Sequence, residues 1–258
     1  MQHVLPEDYK MSHLTPADKT FFKENGYLVK HNTLTQEQIR NAQDALWEGI
    51  QADRSDPATW INAQPRSPVP GNHPALRATL HESPIFAMAK EMVGKDLLAE
   101  GANPGPALVY PTGKEQWSLS QHGHLDGYYT PTNGVPEGTV GTFTIGATIY
   151  VEKVEHRGGG FTVWPGSHAA AAAYFKTHSL LSLNGGDPSN AFDSGAAVEI
   201  TGAAGTVCFW HGQLVHTGSQ NCSRTIRMAL IARMARQDLN DSRFETPDDM
   251  WHDWEGMG

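Results

Sequence analysis

Near residue 105 the hydrophobic rhythm of this 258-residue chain switches from helical to alternating, and that switch narrows the folds open to it. Upstream, Thr15-Pro16-Ala17-Asp18 sets a cap residue before a proline at the first helical position, and Gly26 closes the segment. Thr35 and Gln38 form a capping-box pattern, Leu34 can staple onto Ile39, and Ile39, Ala42, Leu46 and Ile50 recur at helical spacing. Ser83-Pro84 opens a third predicted helix, IFAMAKEMVG. Residues 54–75, rich in Pro, Asn and Ser, read as a loop long enough to be functional or disordered. Downstream, ALVY, QWSLSQHGHL, TVGTFTIGATIYVEKV, GFTVWPG, AVEI, GTVCFW and RTIRMALIARM are short segments rich in Val, Ile, Thr and aromatics, divided by Gly and Pro. Short strands at this spacing predict an antiparallel barrel or sandwich rather than βαβ units. An Ala-rich helix, HAAAAAYFKTH, and a polar loop over 181–197, a candidate lid, interrupt them. The expectation is one domain over 1–258, with a mostly helical part at 1–104, a β core at 105–236 and a tail at 237–258.

Composition excludes several roles. The net charge is −9 and no Lys/Arg run exceeds two residues, which argues against a nucleic-acid or acidic-membrane partner. The opening MQHVLPEDYKMSHL lacks the apolar stretch of a secretory signal, and no apolar run is long enough to span a bilayer. The two cysteines, Cys208 and Cys222, form no CxxC pair, so a reducing, cytoplasmic setting is expected. The sequence sets no oligomeric state.

Residues 121–130, QHGHLDGYYT, carry the first chemistry. In an extended strand i and i+2 share a face at about 6.5–7 Å, so one ion can be gripped by His122/His124 or by His124/Asp126 but not by the row's two ends. Asp126 precedes Gly127, where the strand should end at a pocket mouth. A redox iron site needs a carboxylate with two imidazoles, one of them remote. His124 and Asp126 are therefore the better pair, and His122 falls to a supporting place. The remote histidine has two candidates, His211 and His216, after the buried-looking TVCFW. In the last strand Thr225, Arg227, Ala229 and Ile231 alternate with Ile226, Met228, Leu230 and Ala232. A cation in the middle of such a run is costly without an anionic partner, and a guanidinium suits a bidentate carboxylate. Arg224, Arg233 and Arg236 read as exposed arginines of an edge strand.

With His124-Leu125-Asp126, a distal His216 and Arg227 eleven residues later, the chain resembles the phytanoyl-CoA dioxygenase family of Fe(II)/2-oxoglutarate oxygenases. TPADKTFFKENGYLVKHNTLTQEQI looks like that family's opening helix, strand and second helix; HRGGGFTVWPGSH looks like its Gly-rich turn and strand end; WHGQLVHTGSQNCSRTIRMAL looks like its distal segment. The resemblance implies a mainly β fold with flanking helices, a double-stranded β-helix or jelly roll. It implies Fe(II) held by His124, Asp126 and His216, three positions left for 2-oxoglutarate and O2, and Arg227 on the distal carboxylate of 2-oxoglutarate. Tyr110 and Thr142 are further candidates for the cofactor pocket. The family often has a hydroxyl residue two after the distal His, whereas this chain has Gly218 between Thr217 and Ser219. Relatives that halogenate lack the carboxylate, so Asp126 favours hydroxylation of a small organic substrate, with release of succinate and CO2. An acyl-CoA is not the expected substrate, because the candidate lid residues supply only Arg54, Arg66 and Arg157 for its phosphates. Tyr128 and Tyr129 are the expected substrate contacts, only one of them pointing inward. A non-redox divalent-metal enzyme on the same barrel would leave Arg227 without a carboxylate, and a non-catalytic binding module would leave the His/Asp/His set without a use.

Overall fold

The structure is a computed structural model that describes residues 12–258; most of the opening stretch read above for a signal sequence lies outside them. Helix α1 (Pro16–Asn25) begins at a reciprocal cap: Asp18 N–H donates to Thr15 Oγ1, and Thr15 N–H donates to the Asp18 carboxylate. Strand β1 (Tyr27–Lys30) and helix α2 (Gln36–Trp47) follow, the latter opened in the same way by Thr35 and Gln38. Helices α3 (Pro74–His81) and α4 (Pro84–Val93) complete the N-terminal layer. No ordinary cap residue marks the start of α3, because its cap is His73, whose Nδ1 accepts from Ala75 N–H where a Ser or Asp would normally stand.

Strands β2 (Gly105–Pro106), β3 (Ile145–Tyr150), β6 (Val207–His211) and β8 (Ala229–Met234) join β1 in an antiparallel sheet of order β1-β6-β3-β8-β2. Strands β4 (Phe161–Val163), β5 (Val198–Ile200) and β7 (His216–Gly218) form a second antiparallel sheet, β5-β4-β7. The two face one another as a jelly roll. Helix α5 (Ser167–Phe175) leaves the smaller sheet after β4, and a short α6 (Leu239–Ser242) follows β8.

Alternation along the large sheet separates two cores. Ile145, Ala147, Ile149, Val207, Phe209, Leu230, Ala232 and Met234 pack outward against α2, α3 and α4. Each large side chain buried there contributes about 1.5–3 kcal/mol. The intervening Tyr150, Cys208, Trp210 and Ala229 face Phe161, Val163 and Ile200 of the small sheet. Gly146 is needed for a close approach: a Cβ there would lie 2.1 Å from the Trp210 ring.

Two predicted strands are reduced to single antiparallel pairs, Val109 with Arg227 and His124 with His216. In 116–123 local side-chain bonds, Ser120 Oγ to His122 O and Gln121 Nε2 to Leu119 O, take up carbonyls that a ladder would use. The 54–75 loop is tied along 106–111, with Ser67 Oγ donating to Pro106 O, Leu108 N–H to Arg66 O and Asn62 N–H to Pro111 O. The 181–197 loop lies against the His-x-Asp segment, where Leu125 N–H donates to Gly186 O. The C-terminal Trp251 and Trp254 pack on Phe22 and His211. Among the described residues no helix is long and apolar enough to cross a membrane.

Candidate metal centre

His124 and His216 are directly opposed residues that exchange both backbone hydrogen bonds, at 3.0 and 3.1 Å. Side chains of such a pair leave the sheet on the same face, and Asp126, two residues on, leaves on that face too. The result is a cluster in which one ligand atom from each of His124, Asp126 and His216 lies within 4.8 Å of the others. His124 Nε2 is 3.3 Å from Asp126 Oδ1 and His216 Nε2 is 3.4 Å from Oδ2. His216 Nδ1–H donates to Leu214 O at 2.9 Å, which fixes the ring with Nε2 facing the carboxylate. Trp210 and Phe161 wedge the His216 ring at centroid distances of 4.2 and 5.3 Å. Gly127, at φ 93°, ends the strand; a Cβ there would meet Gly141 O at 2.8 Å.

Burial alone would raise the Asp126 carboxyl, but hydrogen bonds from both imidazoles and the Arg233 guanidinium hold it well below the usual carboxylate range. Arg233 is exposed, as the sequence leads one to expect, but it is not free. It shares the inward parity of Arg227, Ala229 and Ile231, and its Nε donates to Asp126 Oδ2 at 2.7 Å. Parity with Arg227 was the signal in the sequence that pointed to it.

Arg227 is buried, with 2% of its surface exposed, yet its Nε and Nη1 have no hydrogen-bond partner. Burial pulls its ionisation down to about 10, so it is still a cation at neutral pH. Gly218 stands beside it: a Cβ on that residue would be 3.7 Å from Arg227 Nη2, and glycine keeps the space open. A buried cation with free donors calls for an anion held from outside the chain.

The sequence profile of the family described as Phytanoyl-CoA dioxygenase (PhyH) matches residues 22–229. The chain belongs to this family. No curated protein matches the chain significantly. Among solved structures it is similar to the non-haem α-ketoglutarate-dependent carbocyclase SnoK from nogalamycin biosynthesis, at 20% identity over 92% of this chain and 94% of that one (TM-score 0.57). It is also similar to AviO1 from Streptomyces viridochromogenes, at 16% identity over 85% and 93% (TM-score 0.56). A third likeness is to HygX from Streptomyces hygroscopicus with nickel, 2-oxoglutarate and hygromycin B bound, at 13% identity over 87% and 88% (TM-score 0.52). As a phytanoyl-CoA dioxygenase family member the protein is an Fe(II)/2-oxoglutarate-dependent enzyme. Its residues fit both groups: the donor set of two imidazoles and a carboxylate suits iron, and the unpaired guanidinium of Arg227 suits a dicarboxylate.

Other residues singled out in this oxygenase-family sequence lie elsewhere. His211, the rival distal histidine, has outward parity and stacks on Trp254 at 5.1 Å. His122 lines a recess with Trp164, Pro188 and Phe192 beside the 181–197 loop. The Tyr110 hydroxyl donates to Pro65 O at 2.8 Å and is pushed up to about 12 by burial. Thr142 lies behind Gly127 and lines a hollow under the C-terminal segment with His211 and Trp254. Tyr128 is buried and stacks on Phe175 of α5, whereas Tyr129 is 38% exposed. The buried hydroxyls near Gly218 are those of Ser219 and Thr162, 2.5 Å apart.

Proposed function

We propose that this protein hydroxylates a small organic molecule, acting as one catalytic domain over 1–258, with His124, Asp126 and His216 as iron ligands and Arg227 as the anchor of 2-oxoglutarate. The observation that carries the reading is the buried, unpaired Arg227 guanidinium on the same inward row that leads to the cluster. A water-activating metal enzyme has no use for it. Bound together, iron and 2-oxoglutarate supply an oxidant made with O2, releasing succinate and CO2. The chain supplies position. Arg227 would hold the far carboxylate of 2-oxoglutarate by a charge-assisted fork, and Gly218 sets no side chain against the guanidinium. His216 is 5% exposed and His124 45%, which supports substrate approach from the His124 side, over exposed Tyr129 and under the 181–197 loop. Structural relatives include proteins crystallised with nogalamycin RO and with hygromycin B, which supports an organic substrate of moderate size. The intact Asp126 leaves no ligand position vacated for a halide.

The test begins with anaerobic titration by Fe(II) and then 2-oxoglutarate. A weak visible charge-transfer band requiring both is expected in the native protein and in His211→Ala, and is expected to be absent in Asp126→Ala and His216→Ala. Turnover under 18O2 should then place one labelled oxygen in the product. Substrate-dependent succinate release with no oxygen gained would overturn hydroxylation in favour of an epimerase- or cyclase-type outcome. Loss of the band in His211→Ala, with His216→Ala unaffected, would reassign the distal ligand.

A further inference from the structure

The Asp126 carboxylate has two oxygens, and the chain treats them differently. Oδ2 receives Arg233 Nε at 2.7 Å and Arg233 Nη2 at 2.5 Å, so both guanidinium donors converge on one oxygen. Oδ1 faces His124 Nε2 at 3.3 Å and takes nothing from Arg233. Arg233 reaches this place because, on β8, it keeps the inward parity of Arg227, which lies six residues earlier and just ahead of the strand. Its guanidinium lies over the Phe143 ring at 5.9 Å, and Phe143 in turn packs edge-on against Trp210, which wedges His216. Residues 227–233 thus carry two arginines of inward parity, Arg227 buried and unpaired ahead of β8, and Arg233 half-exposed within it and paired with the carboxylate of the cluster.

Charge alone makes Arg233 a poor neighbour for a metal cation. Its value must lie in geometry. A carboxylate free to rotate can chelate a metal through both oxygens and fill an extra coordination position. We propose that Arg233 is a positioning residue that occupies Oδ2 and so makes Asp126 a one-oxygen donor through Oδ1, keeping three positions open for 2-oxoglutarate and O2. The inference rests on the oxygenase reading above and goes beyond it in naming which oxygen binds and what enforces the choice. Partners of this kind, which orient a ligand without touching the metal, typically change metal affinity by about 10–100-fold when removed.

The experiment compares native protein, Arg233→Gln and Arg233→Lys by anaerobic Fe(II) titration followed by 2-oxoglutarate, with a thermal melt of each metal-free protein as the folding control. The side chain is 46% exposed, so the fold should tolerate both changes. In Arg233→Gln the Fe(II) affinity is expected to fall by about 10–100-fold, and the charge-transfer band of the ternary complex to shift in wavelength. Arg233→Lys keeps the charge but cannot set two donors on one oxygen, and should recover only part of the affinity. Iron binding within twofold of native with an unmoved band in Arg233→Gln would overturn the proposal. Tighter binding would also overturn it, showing a field effect only, as would full recovery by lysine. If the native protein gives no band, the oxygenase reading itself fails; a native band with indifferent Arg233 variants fails this proposal alone.

Discussion

The two faces of the large sheet are made by alternate residues of the same strands, and they are built to different ends. Outward, Ile145, Ala147 and Ile149 of β3 and Leu230, Ala232 and Met234 of β8 meet helices and carry no side-chain polar atom to satisfy. Inward, Thr148 Oγ1, Trp210 Nε1, and Nε and Nη1 of Arg227 are buried without partners. Those are four of the six such atoms found among the described residues. Buried polar groups left unpaired are destabilising, and folded proteins rarely tolerate several together. Their concentration on one face makes the inward side the costly one, while the other face stabilises the whole.

Arg227→Met breaks this contrast most strongly. Removing one partner of a buried charge pair typically costs about 3–5 kcal/mol, so the 2-oxoglutarate requirement should rise at least about 100-fold, read by titration of the visible band. The same substitution removes an uncompensated cation from the cofactor-free protein, whose melting temperature should rise. A melting temperature that falls would mean that Arg227 serves the fold rather than the co-substrate. Adjacent positions of β3 sharpen the comparison on a smaller scale. Ile149→Val should lower stability by about 0.5–1.5 kcal/mol, as loss of one buried methylene does. Thr148→Val, the next residue inward, should raise it by about 1 kcal/mol, since it deletes an unsatisfied buried hydroxyl. Denaturant unfolding of the two cofactor-free variants gives both signs; equal destabilisation would erase the distinction between the faces.

Much of this was legible in residues. Reciprocal caps at Thr15 and Thr35 announce α1 and α2 because the capping pair is local, and the alternation in RTIRMALIARM announces β8 and the inward parity of Arg227. The His-x-Asp spacing places two members of the cluster on one face. What spacing could not supply was the third dimension. The opposition of His124 to His216 is a register between segments far apart in the chain, and the stretch before His124 did not look like an isolated pairing. Helix α3 was hidden by a histidine cap. Tyr110 and Tyr128 looked available because aromatic residues near a pocket look alike in sequence, whereas one hydroxyl is held by Pro65 O and one ring lies against α5. Arg233 was legible by parity, and its exposure is real, but its carboxylate partner lies 107 residues away in the chain and no local pattern points to it.

The smallest expected effect concerns how each face handles charge. Inward, Arg227 stays a cation although buried. Outward, His211 stacks on Trp254 and lies 5.5 Å from His168, whose Nε2–H donates to Lys23 O. Burial lowers the ionisation of both histidines, that of His211 well below its ordinary value of 6.5, where nearby His168 disfavours the charge further. Above that value both folded and unfolded chains hold these groups neutral, so they add no pH dependence. As pH falls below it, the unfolded chain takes up protons that the folded chain refuses, and stability declines. The melting temperature should therefore fall on the acid side of about 6.5, and His211→Gln should flatten that limb while leaving the Fe(II)/2-oxoglutarate band intact. An acid limb unchanged in His211→Gln would place the proton uptake elsewhere. A lost band would mean that the outward face is not independent of the inward one, and the division of labour across β3, β6 and β8 would have to be abandoned.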